Sequence, residues 1–218
     1  MALNINGTTG ISGVDGSVSA PALTGTDSNT GITFPSADTI KFSTGGVERI
    51  SITNSGISGT GISSGGLEMV DQWRITSTFA FSSLTVMTSN WERVDTNGYG
   101  QLGTGMTESS GVFTFPSTGI YQLFFSATFN TDPSGGDTYF IHIHTTTDNS
   151  SYTKRTESGM GEDNGRPQTG STSCLFDVTN TSTHKVKFAT GSVAPNSEVL
   201  GSTSENKTYV MFLRLGDT

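Results

Sequence analysis

The stretch GVFTFPSTGIYQLFFSATF, Gly111–Phe129, decides the fold. Pro116-Ser117-Thr118-Gly119 supplies a turn, and from Tyr121 onward the residues alternate as a β-strand with one buried face requires. Tyr121, Leu123, Phe125, Ala127 and Phe129 share one face, assigned to the core. Gln122, Phe124, Ser126 and Thr128 share the other. Phe124 therefore puts a ring where the pattern asks for a polar side chain.

The same period recurs on both sides of this stretch. QWRIT (Gln72–Thr76), WERVD (Trp91–Asp95), VFTF (Val112–Phe115), TYFIHIHTTT (Thr138–Thr147), SCLFDV (Ser173–Val178), HKVKFAT (His184–Thr190) and KTYVMFLRL (Lys207–Leu215) read as short strands separated by turn residues. Many short strands with turns between them predict an all-β sandwich or jelly roll. By strand phase, Tyr139, Ile141 and Ile143 face in, leaving Phe140, His142 and His144 outside. In the last strand, phase assigns Tyr209, Met211, Leu213 and Leu215 to the core and Val210, Phe212 and Arg214 to the outside. Phe124, Phe140 and Phe212 would then lie outside a well-filled core, and converging exposed rings mark an interface. Each ring buried is worth ~1.5–3 kcal/mol. The partner expected from this pattern is another copy of the chain, with Phe124, Phe140, His142, His144 and Phe212 at the contact.

Composition agrees with the class. Of 218 residues only 32% are hydrophobic and 14% charged, while 13 Phe supply bulky core material. Ala and Leu are scarce relative to Gly, Ser, Thr and Asn, which disfavours long helices. The net charge of −8 repels phosphate backbones, so no nucleic-acid partner is expected. No segment approaches the ~20 apolar residues that span a bilayer, and MALNINGTTG has neither the basic nor the apolar region of a secretory signal, so no membrane insertion is expected. Cys174 stands alone, which excludes an intrachain disulfide.

Residues 1–66 and 67–218 differ in kind. The first segment is rich in glycine, lacks Trp and Tyr, and has Phe34 and Phe42 as its aromatic residues. Such a segment cannot by itself bury enough apolar surface to offset its backbone entropy. It must stay loose, pack on the second half, or intertwine with copies of itself. Gly7, Gly10, Gly13 and Gly16 keep a spacing of three, but without proline, so an extended arm is expected rather than collagen. DTIKFSTGGVERISITNSG reads as a hairpin turning at Gly45-Gly46. Residues 57–68, ISGTGISSGGLE, read as a Gly/Ser hinge.

NTGITFPSADTIKFSTGGVERISITNSGISGTG (Asn29–Gly61) resembles the N-terminal or shaft modules of bacteriophage tail fibres, and MALNINGTTGISGVDGS resembles the opening of marine cyanophage virion proteins. The module occurs once, so a short fibre is implied. The resemblance implies a virion protein, made in the bacterial host cytoplasm and joined to other virion proteins through its N-terminal arm. Leu3, Ile5, Ile11 and Val14 are the candidate attachment residues. FTFPSTGIYQLFFSATF is similar to the C1q/tumour-necrosis-factor superfamily through Phe113, Pro116, Gly119 and Tyr121; TYVMFLRL and SCLFDVTNTSTHKVKF match that family's closing strand and preceding hairpin. Ser182-Thr183-His184 replaces the family's usual Gly-Asp turn. This resemblance implies a jelly-roll head over roughly Gln72–Leu215, assembled as a homotrimer.

Chemistry-bearing candidates are few. His142 and His144, two apart on a strand, point the same way and have the geometry of a chelating pair, but no third ligand accompanies them, so interface histidines are the expectation. Such a pair would make a trimer acid-sensitive. Asp132, Asp137, Glu157, Glu162 and Asp163 fall in Gly-rich connections where oxygen ligands for Ca²⁺ are conceivable, without EF-hand spacing. No cofactor is expected. No nucleophile elbow, phosphate loop or dinucleotide fingerprint occurs, so no catalytic site is assigned. Trp73 and Trp91 are read as core or interface anchors. Loops Thr131–Asp137, Ser158–Gln168 and Ala194–Asn206 are the candidate receptor-binding loops, with Asp132, Asp137, Glu162, Asp163, Asn164 and Arg166 named for a host-surface glycan. The expected function is a short trimeric tail fibre displaying a receptor-binding head. The alternative is a trimeric capsid decoration protein.

Overall fold

The computed structural model describes the chain apart from residues 1–3, 7–9, 13–14, 61, 63–66, 82, 97, 131–137, 162–164 and 193–196; for 4–6, 10–12, 192 and 197 the backbone alone is described. The chain divides into two compact units, Met1–Gly66 and Leu67–Thr218. The described residues form strands and turns without a helix.

The N-terminal unit begins with two small antiparallel pairs. β1 (Asn4–Asn6) pairs with β2 (Gly10–Ser12), setting Ile5 opposite Ile11. β3 (Gly16–Ser17) pairs with β4 (Ala20–Pro21). A five-stranded antiparallel meander follows: β5 (Leu23–Thr24), β6 (Gly31–Thr33), β7 (Ile40–Thr44), β8 (Val47–Thr53) and β9 (Gly56–Ser58). The turn expected at Gly45-Gly46 joins β7 to β8. Both glycines take positive φ, 59° and 72°, which a two-residue hairpin loop of this hand needs at each central position. Register places Leu23, Ile32, Phe42 and Ile50 in one cross-strand row and Ile40, Ile52 and Ile57 in the next, all on one face. The opposite face carries Thr33, Lys41, Ser43 and Ser51, with Lys41 paired to Glu48 at 2.6 Å.

The second unit is a two-sheet sandwich. Its strands are β10 (Met69–Ile75), β11 (Phe79–Phe81), β12 (Thr85–Val86), β13 (Trp91–Arg93), β14 (Thr107–Ser109), β15 (Val112–Thr114), β16 (Gly119–Asn130), β17 (Thr138–Thr146), β18 (Thr153–Gly161), β19 (Gln168–Val178), β20 (Lys185–Ser192), β21 (Ser197–Val199) and β22 (Tyr209–Gly216). In the first sheet β16 lies between β19 and β22, and β22 leads on to β10 and β13; β21 and β11 extend the far end of β16. The second sheet runs β14-β15-β20-β17-β18, with β12 beside β20. All the strands expected from alternation form. β18, however, occupies a segment whose charge and glycine read as a loop, and Glu157 sits on it.

Between the sheets lies an aromatic core. Phe113 contacts Phe188 at 5.5 Å and Phe212 at 5.2 Å between ring centroids, and Trp73 and Trp91 meet its edge at 5.6 and 5.2 Å. Tyr121, Leu123, Phe125 and Phe129 are fully buried, as the alternation of Gly111–Phe129 requires. The Pro116–Gly119 turn is closed by the Tyr121 hydroxyl, which donates to the Ser117 carbonyl at 2.9 Å. Gly119, at φ 142°, lies where a Cβ would come within 2.6 Å of the Arg214 guanidinium, so glycine is required there.

The last strand runs in the opposite phase to that expected. Val210 and Phe212 are fully buried in the core, Arg214 is nearly so, and Leu215 is 47% exposed. The β16–β22 register sets Phe212 opposite Leu123 and Val210 opposite Phe125, both core residues. YVMFLRL is apolar on both faces, so its period holds no phase information; Arg214 gave a misleading cue. Its guanidinium turns back at the edge of the core, donating to the Thr118 carbonyl at 2.9 Å and to Glu68 at 2.7 Å, and pairing with Asp217.

Candidate functional site

Three cross-strand rows define the outer face of the first sheet. Phe124 on β16 is flanked by Ser173 of β19 and Met211 of β22, and Met211 by Gln72 of β10. The next row on one side is Leu175, Gln122, Leu213 and Val70; on the other it is Ser171, Ser126, Tyr209 and Arg74. The Phe124 ring packs against Tyr209 at 5.7 Å, tilted by 41°. Leu175 is 65% exposed, and Phe124, Met211, Leu213 and Val70 are half-buried. The charges on this part of the face are at its margin, where Arg74 donates to Glu92 at 3.0 Å and to the Thr203 carbonyl. An apolar stripe of this kind, with a paired charge at its edge, has the anatomy of a protein interface.

The five residues assigned to that contact do not share it. Phe124 lies on this face. Phe212 is a core residue, as its register with Leu123 dictates. Phe140, His142 and His144 do face outward, but from β17 in the second sheet, the opposite layer of the sandwich. Equal strand phase says only that a side chain leaves the core; which sheet it leaves from is set by pairing.

On that second sheet the two imidazoles stack along β17 with ring centroids 5.6 Å apart, and Phe140 adjoins His142 at 6.3 Å. Across on β18, Glu157 reaches His142 Nε2 at 2.7 Å and receives Lys154 Nζ at 2.5 Å. The His142 contact is short but out of line with the ring N–H, so both His142 nitrogens lack an aligned hydrogen bond, as does His144 Nε2. On β20, Lys187 opposes His144 and lies over the Tyr152 ring at 3.9 Å. Burial holds the His142 imidazole below its ordinary value, against the attraction of Glu157 and with the help of Lys154. Burial, then His142, Lys154 and Lys187, do the same to His144. Both environments favour the neutral imidazole. Glu157 is held below the usual carboxylate range, first by Lys154.

Other candidates separate. Leu3, Val14, Asp132, Asp137, Glu162, Asp163 and Asn164 lie outside the described residues, and of Ile5 and Ile11 only the backbone pairing is described. Arg166 is exposed. Ser158–Gly161 and Gln168 belong to strands, and β21 interrupts the segment 194–206, so the candidate loops are shorter than the sequence implied. Among the described residues no group of three His, Cys, Asp or Glu gathers to hold a metal. Burial pushes the Cys174 thiol up, away from a reactive thiolate. An open depression of about 360 Å³ beside Glu68, Met69 and Ser117 is walled by Arg214, whose donors are already engaged.

Sequence reasoning missed Asp71, whose carboxylate is fully buried. It accepts from Trp73 Nε1 at 2.9 Å, Arg93 Nε at 3.0 Å and the Met106 N–H at 2.7 Å. Arg93 also lies over the Trp73 ring at 4.7 Å. No local motif announces this cluster, because its members come from separate strands and a loop.

No family model and no curated protein matches the chain. Solved structures do. The crystal structure of murine APRIL at pH 5.0 is similar at 14% identity over 67% of this chain and 98% of that chain, with a TM-score of 0.51. Eiger TNF from S. frugiperda is similar at 12% identity over 70% of this chain and 96% of that chain, TM-score 0.48. The PRD1 vertex protein P5 is similar at 16% identity over 70% and 100%, TM-score 0.45. The likeness to APRIL is one of fold: the second unit is a TNF-like jelly roll.

Proposed function

We propose that the chain is a structural virion protein, a homotrimer whose jelly-roll head is displayed by a short N-terminal fibre segment. The carrying observation for assembly is the apolar stripe on the outer face of the first sheet, centred on Phe124, Met211 and Leu213. A half-buried ring beside Tyr209, with exposed Leu175 in the adjoining row, gains stability when a second copy covers it. Placement on a virion rests on the resemblance of Asn29–Gly61 to tail-fibre modules.

Segments 131–137 and 162–167, which follow β16 and β18 in the chain, are the proposed contacts to a host-surface glycan, with Arg166 among them. Threefold display multiplies weak single-site affinity. The unrepeated N-terminal module also fits a capsid decoration protein, in which the head is exposed without a receptor. Native mass measurement tests the trimer. Labelling of whole particles with an antibody, located by electron microscopy, separates the readings: label on the tail supports the fibre, label on the shell supports decoration, and no label defeats both.

A further inference from the structure

The five-stranded sheet β5–β9 is inside out. Its polar face holds buried Thr33, Ser43 and Ser51, at 1%, 2% and 6% exposure, while Leu23, Ile40 and Ile57 on the apolar face are 43%, 37% and 63% exposed. The cross-strand register makes this face continuous over all five strands; its two central rows are wholly apolar, and a charge enters at the Thr44–Val47 end, where Arg49 donates to Thr44 at 2.8 Å. At one end Phe34, Ile40 and Ile52 line an open groove of about 390 Å³ with Asp38 and Asn54 on its rim. The charges Lys41 and Glu48 lie on the other face and neutralise each other.

We propose that this apolar face is a second self-association surface, packing against the same face of the other copies in the assembly. The inference rests on the homotrimer reading above. Five strands spaced ~4.8 Å apart and a few residues long offer a face of roughly 300 Å². A stable independent partner needs ~800 Å² on each side. The face is therefore too small to hold a separate protein by itself. It suffices between copies already joined: residues 59–68, between β9 and β10, span at most ~35 Å even when extended. Tethered that closely, the N-terminal units meet at effective concentrations of roughly millimolar, where a small contact closes.

The test uses the full chain with Cys174→Ser and one new cysteine, either Ile40→Cys on the apolar face or Lys41→Cys on the polar face, treated with a short bismaleimide and separately with a monofunctional maleimide. Ile40→Cys is expected to give covalent dimers and trimers and to label at least about tenfold more slowly than Lys41→Cys, because access governs thiol reactivity. A native trimer in which position 40 labels as fast as position 41 overturns the inference and leaves the face open to another virion protein. A native trimer in which position 40 is protected yet never cross-links overturns it in favour of cover by the same chain. A native mass of one chain before any labelling removes the homotrimer reading and this inference with it.

Discussion

Phe124 and Phe212 lie on adjacent strands of one sheet, one position out of phase: Phe212 is paired with Leu123 and points into the core, and Phe124 is paired with Met211 and points away from it. Two rings on neighbouring strands thus leave opposite faces of the sheet, one into the core and the other onto the outer apolar stripe.

Substitution separates them. Phe212→Ala removes a fully buried ring between Phe113 and Phe188 and is expected to destabilise the head by ~3–5 kcal/mol. Phe124→Asp should leave the far-ultraviolet circular dichroism of the head intact while light scattering reports loss of the trimer. A trimer that survives Phe124→Asp would exclude this face as the interface.

Asp71 and Arg93 form a second test. The carboxylate is fully buried and the Arg93 side chain is 29% exposed. Arg93→Met removes the ion-pair partner and leaves a buried charge held by Trp73 Nε1 and the Gln72 and Met106 N–H groups. Chemical denaturation should show a loss at the lower end of ~3–5 kcal/mol, because part of the guanidinium is already in water.

The imidazole pair predicts an acid response. His142 and His144 are held below the ordinary value of about 6.5, chiefly by burial, so the folded head binds protons less readily than the unfolded chain. Their contribution is complete above that value and declines as pH falls through and below it, towards the folded values. Lys154 and Lys187 facing the pair deepen the decline, and Glu157 opposes it until the carboxylate range is reached. The melting temperature should fall between pH 7 and 5, and a His142→Gln/His144→Gln double variant should flatten the profile over that interval. Because both rings lie on the second sheet, the trimer should persist to lower pH than it would with histidines at the Phe124 face.

The N-terminal turn gives a backbone prediction. Gly46 has φ 72°, a left-handed conformation that costs a β-branched residue ~1–2 kcal/mol or more. Gly46→Val should lower the unfolding midpoint of the N-terminal unit, while Gly45→Asn, which accepts φ 59°, should have little effect.

The sequence by itself determined the strand class, most strand positions, the Gly45-Gly46 turn and the core face of Gly111–Phe129. These depend on local periodicity and on backbone angles that few residues tolerate. It also marked Phe124 as misplaced for a lone chain. Where both faces of a strand are apolar, as in YVMFLRL, alternation holds no phase, and only pairing with Leu123 and Phe125 decided that Phe212 belongs inside. Charge and glycine hid β18, which forms because β17 offers it an edge. Tertiary structure alone gathered Asp71, Trp73, Arg93 and Met106, set His142 against Glu157, and divided the outward-facing rings between two sheets. Those relationships join residues far apart in the chain, and a period of two records the face a side chain takes but not the strand it will meet.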